Sequence, residues 1–483
     1  MGLFLLVVMK KSFLIVLSLL STTFSIKCQS IFDYSLNQFL NDESVENSSI
    51  SIQLINGFSR EVLMEYNSEK LLIPASIQKL FTTTYALNQL GESYKFKTIA
   101  YSNGFFDVGN QKLIGDLIIH FSGDPTLESR YFDSLSFLTQ LNSNLNKLKI
   151  KSIEGQLILY PEKNDFSVNR NWLWGDIGNY YASGYSTHSF RDNYVDVNFD
   201  SPNELGRPTK INEFSPFSKN FNIKNKVISS STKIDLSYAF GAPFQKERNM
   251  IGELPSNRKN YNVKISMHNP KDFLRHSLLQ SLENNGVRIK GSKNLTSSKR
   301  DTILIYESPP LENIIKIINY KSNNNFSENI LIHSALKTDS SITYRSSPEL
   351  MQEYWKEILN ISNIFFSDGC GLSRLNLISS NAINKLLLYN LNELKPNSRK
   401  VFISSLPVAG LSGTLKSLGK GTNISGNFIG KSGSMKGIRC YSGYFIKNEI
   451  YFPFSIMVNN FICESSLIKK LIENLMVDIY EKL

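Results

Sequence analysis

The chain has 483 residues, of which 41% are hydrophobic and 20% charged, enough apolar material to bury a full core in more than one domain, which excludes a disordered chain. The formal net charge is +11, yet the lysines and arginines are scattered, with no block of like charge, zinc-finger spacing or aromatic-basic motif. Nucleic acid is therefore not an expected partner, although the charge suits any anionic surface.

At the N-terminus Lys10 and Lys11 precede an apolar run over 12–20, followed by the small residues Ser21, Thr22, Thr23 and Ser25. This is the pattern of a signal peptide over 1–25, cleaved near Ser25, with Met1 or Met9 as the start. A second apolar run over 3–8 is separated from it by the two lysines. Neither run reaches the roughly 18 residues that span a bilayer, so the mature chain is expected to be exported without a transmembrane anchor. Cys28 follows Lys27 rather than the small residue expected before a lipid-modified cysteine.

Partial alternation over 50–66, with Asn56 and Gly57 at the turn, predicts a pair of strands. After Pro74, Leu80, Phe81, Thr84, Leu87 and Leu90 recur at helical spacing, and Gly91 is placed to end that helix. From about 95 to 298 the pattern changes to short strand-like pieces, at 117–121, 157–160, 194–199 and 263–267, broken by Gly, Pro, Asn and Asp. Residues 96–298 thus read as a β-rich insert, divided into 96–160 with 245–298 and a second subdomain over 161–244. Helices return at 311–320, 327–337, 348–359 and 382–391. Strands over 437–446 and 450–458 are joined by a tight turn at 447–449, and a helix over 465–482 ends the chain. The fold class is α+β, with one domain assembled from 30–95 and 299–483 around the insert.

The four cysteines (Cys28, Cys370, Cys440, Cys463) have no C-x-x-C spacing, and the five histidines (His120, His188, His268, His276, His333) form no H-x-x-x-H or H-E-x-x-H pair. A zinc hydrolase and a Ser-His-Asp triad both lack a local signal, and no metal is expected. A serine nucleophile here needs another base. Ser-x-x-Lys at a helix start supplies one, because it places a hydroxyl and an amine one turn apart on the same face. A lysine takes a serine proton only when burial or nearby positive charge lowers its pKa. The spacing occurs at Ser76/Lys79 but also at Ser230/Lys233, Ser256/Lys259, Ser334/Lys337, Ser417/Lys420 and Ser466/Lys469, where it reads as a surface pair.

Ser76 is distinguished by its company: Pro74-Ala75-Ser76-Ile77-Gln78-Lys79, then Tyr320-Lys321-Ser322-Asn323-Asn324, then Gly430-Lys431-Ser432-Gly433-Ser434. The trio resembles the SxxK, SxN and KTG boxes of penicillin-binding proteins and serine β-lactamases. About 240 residues separate the first box from the second, far more than in a β-lactamase, and such an insert resembles the class C low-molecular-mass penicillin-binding proteins, the S13 D-Ala-D-Ala carboxypeptidase/endopeptidase family. Further segments carry the likeness along the mature chain: Gly123-Asp124-Pro125-Thr126-Leu127, Trp174-Gly175-Asp176-Ile177-Gly178-Asn179-Tyr180-Tyr181, Asp368-Gly369-Cys370-Gly371-Leu372-Ser373-Arg374, and Leu406-Pro407-Val408-Ala409-Gly410.

The resemblance implies a five-stranded antiparallel sheet flanked by helices, formed by 30–95 and 299–483. It implies hydrolysis of the D-Ala-D-Ala bond of peptidoglycan stem peptides in the periplasm, with or without cleavage of crosslinks, inhibition by β-lactams, and no cofactor. Ser76 would attack and be acylated and Lys79 would remove its proton. Ser322 would relay a proton to the leaving amine, Asn324 would hold the substrate amide, and Lys431 would attract the terminal carboxylate and tune Lys79. Ser432, Gly433 and Ser434 would bind substrate, with the backbone N–H groups of Ser76 and Ser434 as the oxyanion hole. The chain departs from the family where Ser432 replaces threonine, Asn323 replaces aspartate and Cys370 replaces serine. The competing Ser327-Glu328-Asn329 falls at a predicted helix start, where Ser327 reads as a cap. Gly430-Lys431-Ser432 lacks the upstream glycine spacing and the following helix of a phosphate loop. Asp124 and Asp368 read as structural. The alternatives are a β-lactamase or esterase of the same fold, or a non-catalytic peptidoglycan-binding protein.

Overall fold

A computed structural model describes residues 31–134, 136–163, 165–291 and 300–483. The expected signal peptide, its cleavage point, Cys28 and the end of the insert at 298 lie outside the described residues. Among the described residues no helix is long and apolar enough to cross a membrane.

The central sheet has five strands in the order Phe428–Met435, Ile438–Lys447, Ile450–Asn459, Ser49–Ile55, Val62–Tyr66, and every neighbouring pair is antiparallel. Side chains alternate across a strand, and here both faces are buried. Cys440, Tyr444 and Met457 face a core with Leu80, Phe81, Ile314 and Ile383. Tyr441, Phe445, Phe454 and Ile456 face a second core with Leu36, Ile468 and Ile472. The second face is covered by the helices Asp33–Leu40 and Ser465–Lys482. Strands buried on both sides read as near-continuous apolar runs, and Phe452 to Val458, interrupted by the buried Ser455, is one.

Among the described residues the insert contains four smaller sheets. Lys210–Ser215, Tyr194–Ser201 and Arg258–Ser266 form one, and Asn222–Ser230, Glu247–Pro255 and Tyr238–Phe240 form another. Both sheets pair strands from the two sides of residue 245, the expected subdomain boundary. A third sheet carries Asp301–Glu307 against Lys97–Ser102, so the insert's hydrogen bonding runs past 298.

The insert also holds two helices that the strand-like reading omitted, Phe137–Lys147 and Pro270–Asn284. The first is rich in asparagine, a poor helix former, and is held by Phe137, Leu141 and Leu145, which are buried at four-residue spacing, and by Ser136, whose side chain accepts from Thr139 N–H. The second begins with Pro270 in its first turn, where the missing N–H costs nothing. The helices Asp33–Leu40 and Pro396–Ser405 were likewise not anticipated. The helix expected to start at 327 starts at Asn324, and Asn323 is its cap, accepting from Phe326 N–H at 2.9 Å. Ser327 is not a cap: it is buried inside the helix and donates to the Gly369 carbonyl at 2.8 Å.

Candidate active site

Ser76 lies in a 3-10 turn, Ala75–Gln78, that runs directly into the helix Lys79–Leu90. The turn is pinned from two sides by glycines. A Cβ on Gly371 would stand 2.0 Å from the Ala75 carbonyl oxygen, and one on Gly433 would stand 2.6 Å from that of Pro74 and 3.1 Å from Ser76 N. Backbone can approach this closely only where no side chain intervenes. Ala75 itself has φ of 47°, a left-handed conformation costing roughly 1–2 kcal/mol that the surrounding contacts must hold.

Lys79, one turn on, is fully buried. Its Nζ donates to Ser76 Oγ at 2.9 Å, to Asn324 Oδ1 at 2.6 Å and to the Cys370 carbonyl at 2.5 Å. Burial lowers its pKa, against the pull of the acidic groups around it, Cys370, Asp368 and Glu328. An amine so placed is a base within reach of one hydroxyl proton.

The second and third boxes converge on the same point. The helix Leu311–Lys321 stops because Ser322 turns left-handed, with φ of 59°, and Asn323 then caps the next helix. This sharp turn aims Ser322 and Asn324 at the first box. Asn324 is fixed at both ends of its amide: Oδ1 receives Lys79, and Nδ2 donates to the Tyr181 carbonyl at 2.8 Å. Lys431, on the edge strand Phe428–Met435, is fully buried and donates to Ser322 Oγ at 2.9 Å and to the Ser432 carbonyl at 2.8 Å. Burial and then the positive charge of Lys79 hold its pKa well below the ordinary lysine value.

Beneath the lysines lies an acidic layer. Glu328 accepts from Gly369 N–H and from Tyr344 OH, each at 2.9 Å. Asp368 accepts from Gly371 N–H at 2.7 Å, Ser373 N–H at 2.6 Å, Trp172 Nε1–H at 2.8 Å and the Asn376 amide at 2.9 Å. Glu328, Asp368 and Cys370 come within metal-ligating reach of one another, but all four carboxylate oxygens are taken by these donors. Together they shape the 368–371 turn, whose carbonyls hold Gln78, Thr82 and Lys79. Burial and the neighbouring Asp368 push the Glu328 carboxyl up to about 7, and Cys370 is fully buried.

Ser76, Ser322, Asn324 and Ser434 open onto a cleft of about 750 Å³, whose far wall comes from the insert and includes Asp176, Tyr181 and Tyr194, with Arg374 beside them. Lys79 and Lys431 sit beneath the floor, and Ser432 and Gly433 lie outside the lining. Ser432 is drawn in through its carbonyl and Gly433 through its close packing on Ser76. No role for Glu328 or for the Cys370 and Tyr181 carbonyls is readable from the sequence, although Cys370 and Tyr181 fall within segments that resemble the family. Glu328 had been visible only as part of the competing serine box.

Comparison with known proteins places this geometry in context. Residues 33–483 match the model of the D-Ala-D-Ala carboxypeptidase 3 (S13) family. The chain is 25% identical over 443 residues to the D-alanyl-D-alanine carboxypeptidase DacB of Haemophilus influenzae, covering 88% of each. It is 25% identical over 445 residues to the penicillin-sensitive carboxypeptidase A of Dictyostelium discoideum, covering 86% of this chain and 83% of that one. In fold it is similar to the crystal structure of penicillin binding protein 4 from Haemophilus influenzae, with a TM-score of 0.76 and 21% identity over 92% of this chain and 99% of that one.

Proposed function

The chain belongs to the D-Ala-D-Ala carboxypeptidase 3 (S13) family, and on that premise we propose that Ser76 is the acyl-enzyme nucleophile of a serine-type D-Ala-D-Ala carboxypeptidase and Lys79 its general base. The observation that carries the assignment is the 2.9 Å contact between Lys79 Nζ and Ser76 Oγ, made by an amine with no exposure to water and a depressed pKa.

Ser76 Oγ attacks the carbonyl between the two terminal D-alanines as its proton passes to Lys79. Backbone N–H groups of Ser76 and Ser434 receive the developing oxyanion, a contribution of about 3 kcal/mol per donor in comparable hydrolases. Ser322, hydrogen-bonded to Lys431, returns a proton to the departing D-alanine amine. Asn324 holds the substrate amide, and Lys431 with the hydroxyl of Ser434, which lines the cleft, draws in the terminal carboxylate. Water then releases the acyl group by the reverse route.

The substrate is the stem peptide of peptidoglycan, met outside the cytoplasmic membrane, in keeping with the exported pattern of residues 1–25. A β-lactam mimics the attacked bond and acylates the same serine. The related penicillin binding protein 4 has been crystallised in complex with one. Incubation with a labelled penicillin followed by peptide mapping tests the assignment. A single long-lived label on Ser76 is expected. A label on another serine, or none on folded protein, overturns it, and rapid turnover of the penicillin favours a β-lactamase.

A further inference from the structure

The cleft continues beyond the reach of a D-Ala-D-Ala terminus. From Tyr181, whose carbonyl holds Asn324, aromatic rings lead away from Ser76: Tyr181 to Tyr180 at 5.5 Å and Tyr180 to Tyr194 at 6.3 Å between centroids. The Arg130 guanidinium then lies 4.8 Å over Tyr194 and 5.2 Å over Tyr131. Arg130, Asp192 and Tyr194 line the catalytic cleft and also a second cavity of about 620 Å³, wholly within the insert. That size falls among the roughly 300–1,000 Å³ of small-molecule sites.

The far wall of the second cavity is made of neutral polar groups, Asn142, Ser277, Gln280, Asn284 and Asn285, from two helices and the residue after one of them. Two of its acids, half-buried Glu128 and buried Asp192, are already engaged. Glu128 accepts from Ser136 and from Leu138 N–H, and Asp192 accepts from Ser129 and faces Arg130 at 3.9 Å. Arg130 is in turn held by Asp192 and two tyrosine rings. Asp133 and Asp196 add further acceptors. Such a lining, with four carboxylates against Arg130 and Arg191, disfavours an anion and offers amides and acceptors to hydroxyl groups, while Tyr194 presents an apolar face with a polar tip.

We propose that the second cavity binds the saccharide to which the stem peptide is attached, so that the insert selects glycan-linked peptide over free peptide. The attached sugar is an uncharged partner, since its acid group is consumed in the amide to the peptide. The inference rests on the peptidoglycan reading above. It adds to that reading a binding site outside the catalytic boxes.

The test compares D-alanine release from a disaccharide-linked pentapeptide and from the same pentapeptide N-acetylated, using the full chain and the variants Asn284→Ala and Gln280→Ala. Both residues are exposed and line only the second cavity. The parent should favour the saccharide-linked substrate about tenfold or more in kcat/KM, through KM, an energy difference of roughly 1.4 kcal/mol. Each variant should erode that preference and leave both the N-acetyl peptide and penicillin labelling of Ser76 unchanged. Equal use of the two substrates by the parent, or variants that slow both alike, overturns the saccharide site. Loss of penicillin labelling in the parent would instead overturn the nucleophile assignment.

Discussion

The body around the five-stranded sheet encloses the polar groups beneath Ser76, whereas the insert, which encloses Arg248 as tightly, also leaves polar groups open around a cavity. In the body, Lys79, Lys431, Glu328 and Asp368 are wholly enclosed and each is met by several partners. In the insert, small sheets leave room between them, and the segment Arg191, Asp192, Asn193 runs through three consecutive left-handed residues, none a glycine, beside an open cavity. On the proposed reading, the difference teaches where each task is put: proton transfer where backbone is fixed from all sides, and substrate selection where surfaces leave space. The two are stitched together by the segment 169–193. Trp172 reaches Asp368, Asn171 reaches Ser367, and Asn325 and Asn329 of the body reach Gly184 and Ser189.

The contrast breaks most visibly at Lys79. Replacing it with alanine should slow penicillin acylation roughly 10²–10⁴-fold, the usual loss on removing a general base, as followed by stopped-flow with a reporter penicillin. Near-parental acylation would move the base elsewhere. Second in size is Gly433→Ala, whose added methyl collides with the Pro74 carbonyl and crowds Ser76 N. Displacing one oxyanion donor should cost about 10²-fold or more in acylation, with circular dichroism unchanged. An unaltered rate would mean that the turn shifts without harm.

The seam between the regions should respond more mildly. Trp172→Phe keeps an aromatic ring but removes the indole donor to Asp368, 2.8 Å away, and part of the buried ring volume. Because a buried acceptor is then left short of one partner, about 1–3 kcal/mol of stability should be lost, read as a lower Tm, with acylation slowed only severalfold through the loosened 368–371 turn. Full acylation at the parental Tm would show that the insert merely rests on the body.

The same contrast explains what is legible in the sequence. The proposed chemistry is carried by short boxes, and Ser76, Lys79, Ser322, Asn324 and Lys431 are brought together in the structure. The sheet's later strands are readable because near-continuous apolar runs such as Phe452 to Val458 have one plausible use. The insert is harder. Its helix over Phe137–Lys147 depends on three buried side chains and a serine cap against asparagine-rich composition, so tertiary packing overrides local preference. Its sheets join strands distant in sequence, and no periodicity announces which strands pair. Glu328 escapes because its role lies in long-range partners, Gly369 and Tyr344, rather than in a motif.

Glu328 gives the smallest and most diagnostic effect. Its negative charge favours the protonated form of Lys79, as do Asp368 and Cys370, whereas burial disfavours it. Glu328→Gln removes one opposing charge, so the Lys79 pKa falls further, and the acid limb of the acylation profile, which marks the loss of neutral amine, should move to lower pH. Stability should report the same residue with its own sign. The folded carboxyl titrates at about 7 against an ordinary 4.5. Between those values the folded state keeps a proton that the unfolded state has released, and stability therefore falls as pH rises through the window. The Tm of the parent should thus decline from pH 5 to pH 8 more steeply than that of Glu328→Gln. A limb that moves upward, or parallel Tm curves, would show that Glu328 shapes the turn without setting the charge balance beneath Lys79.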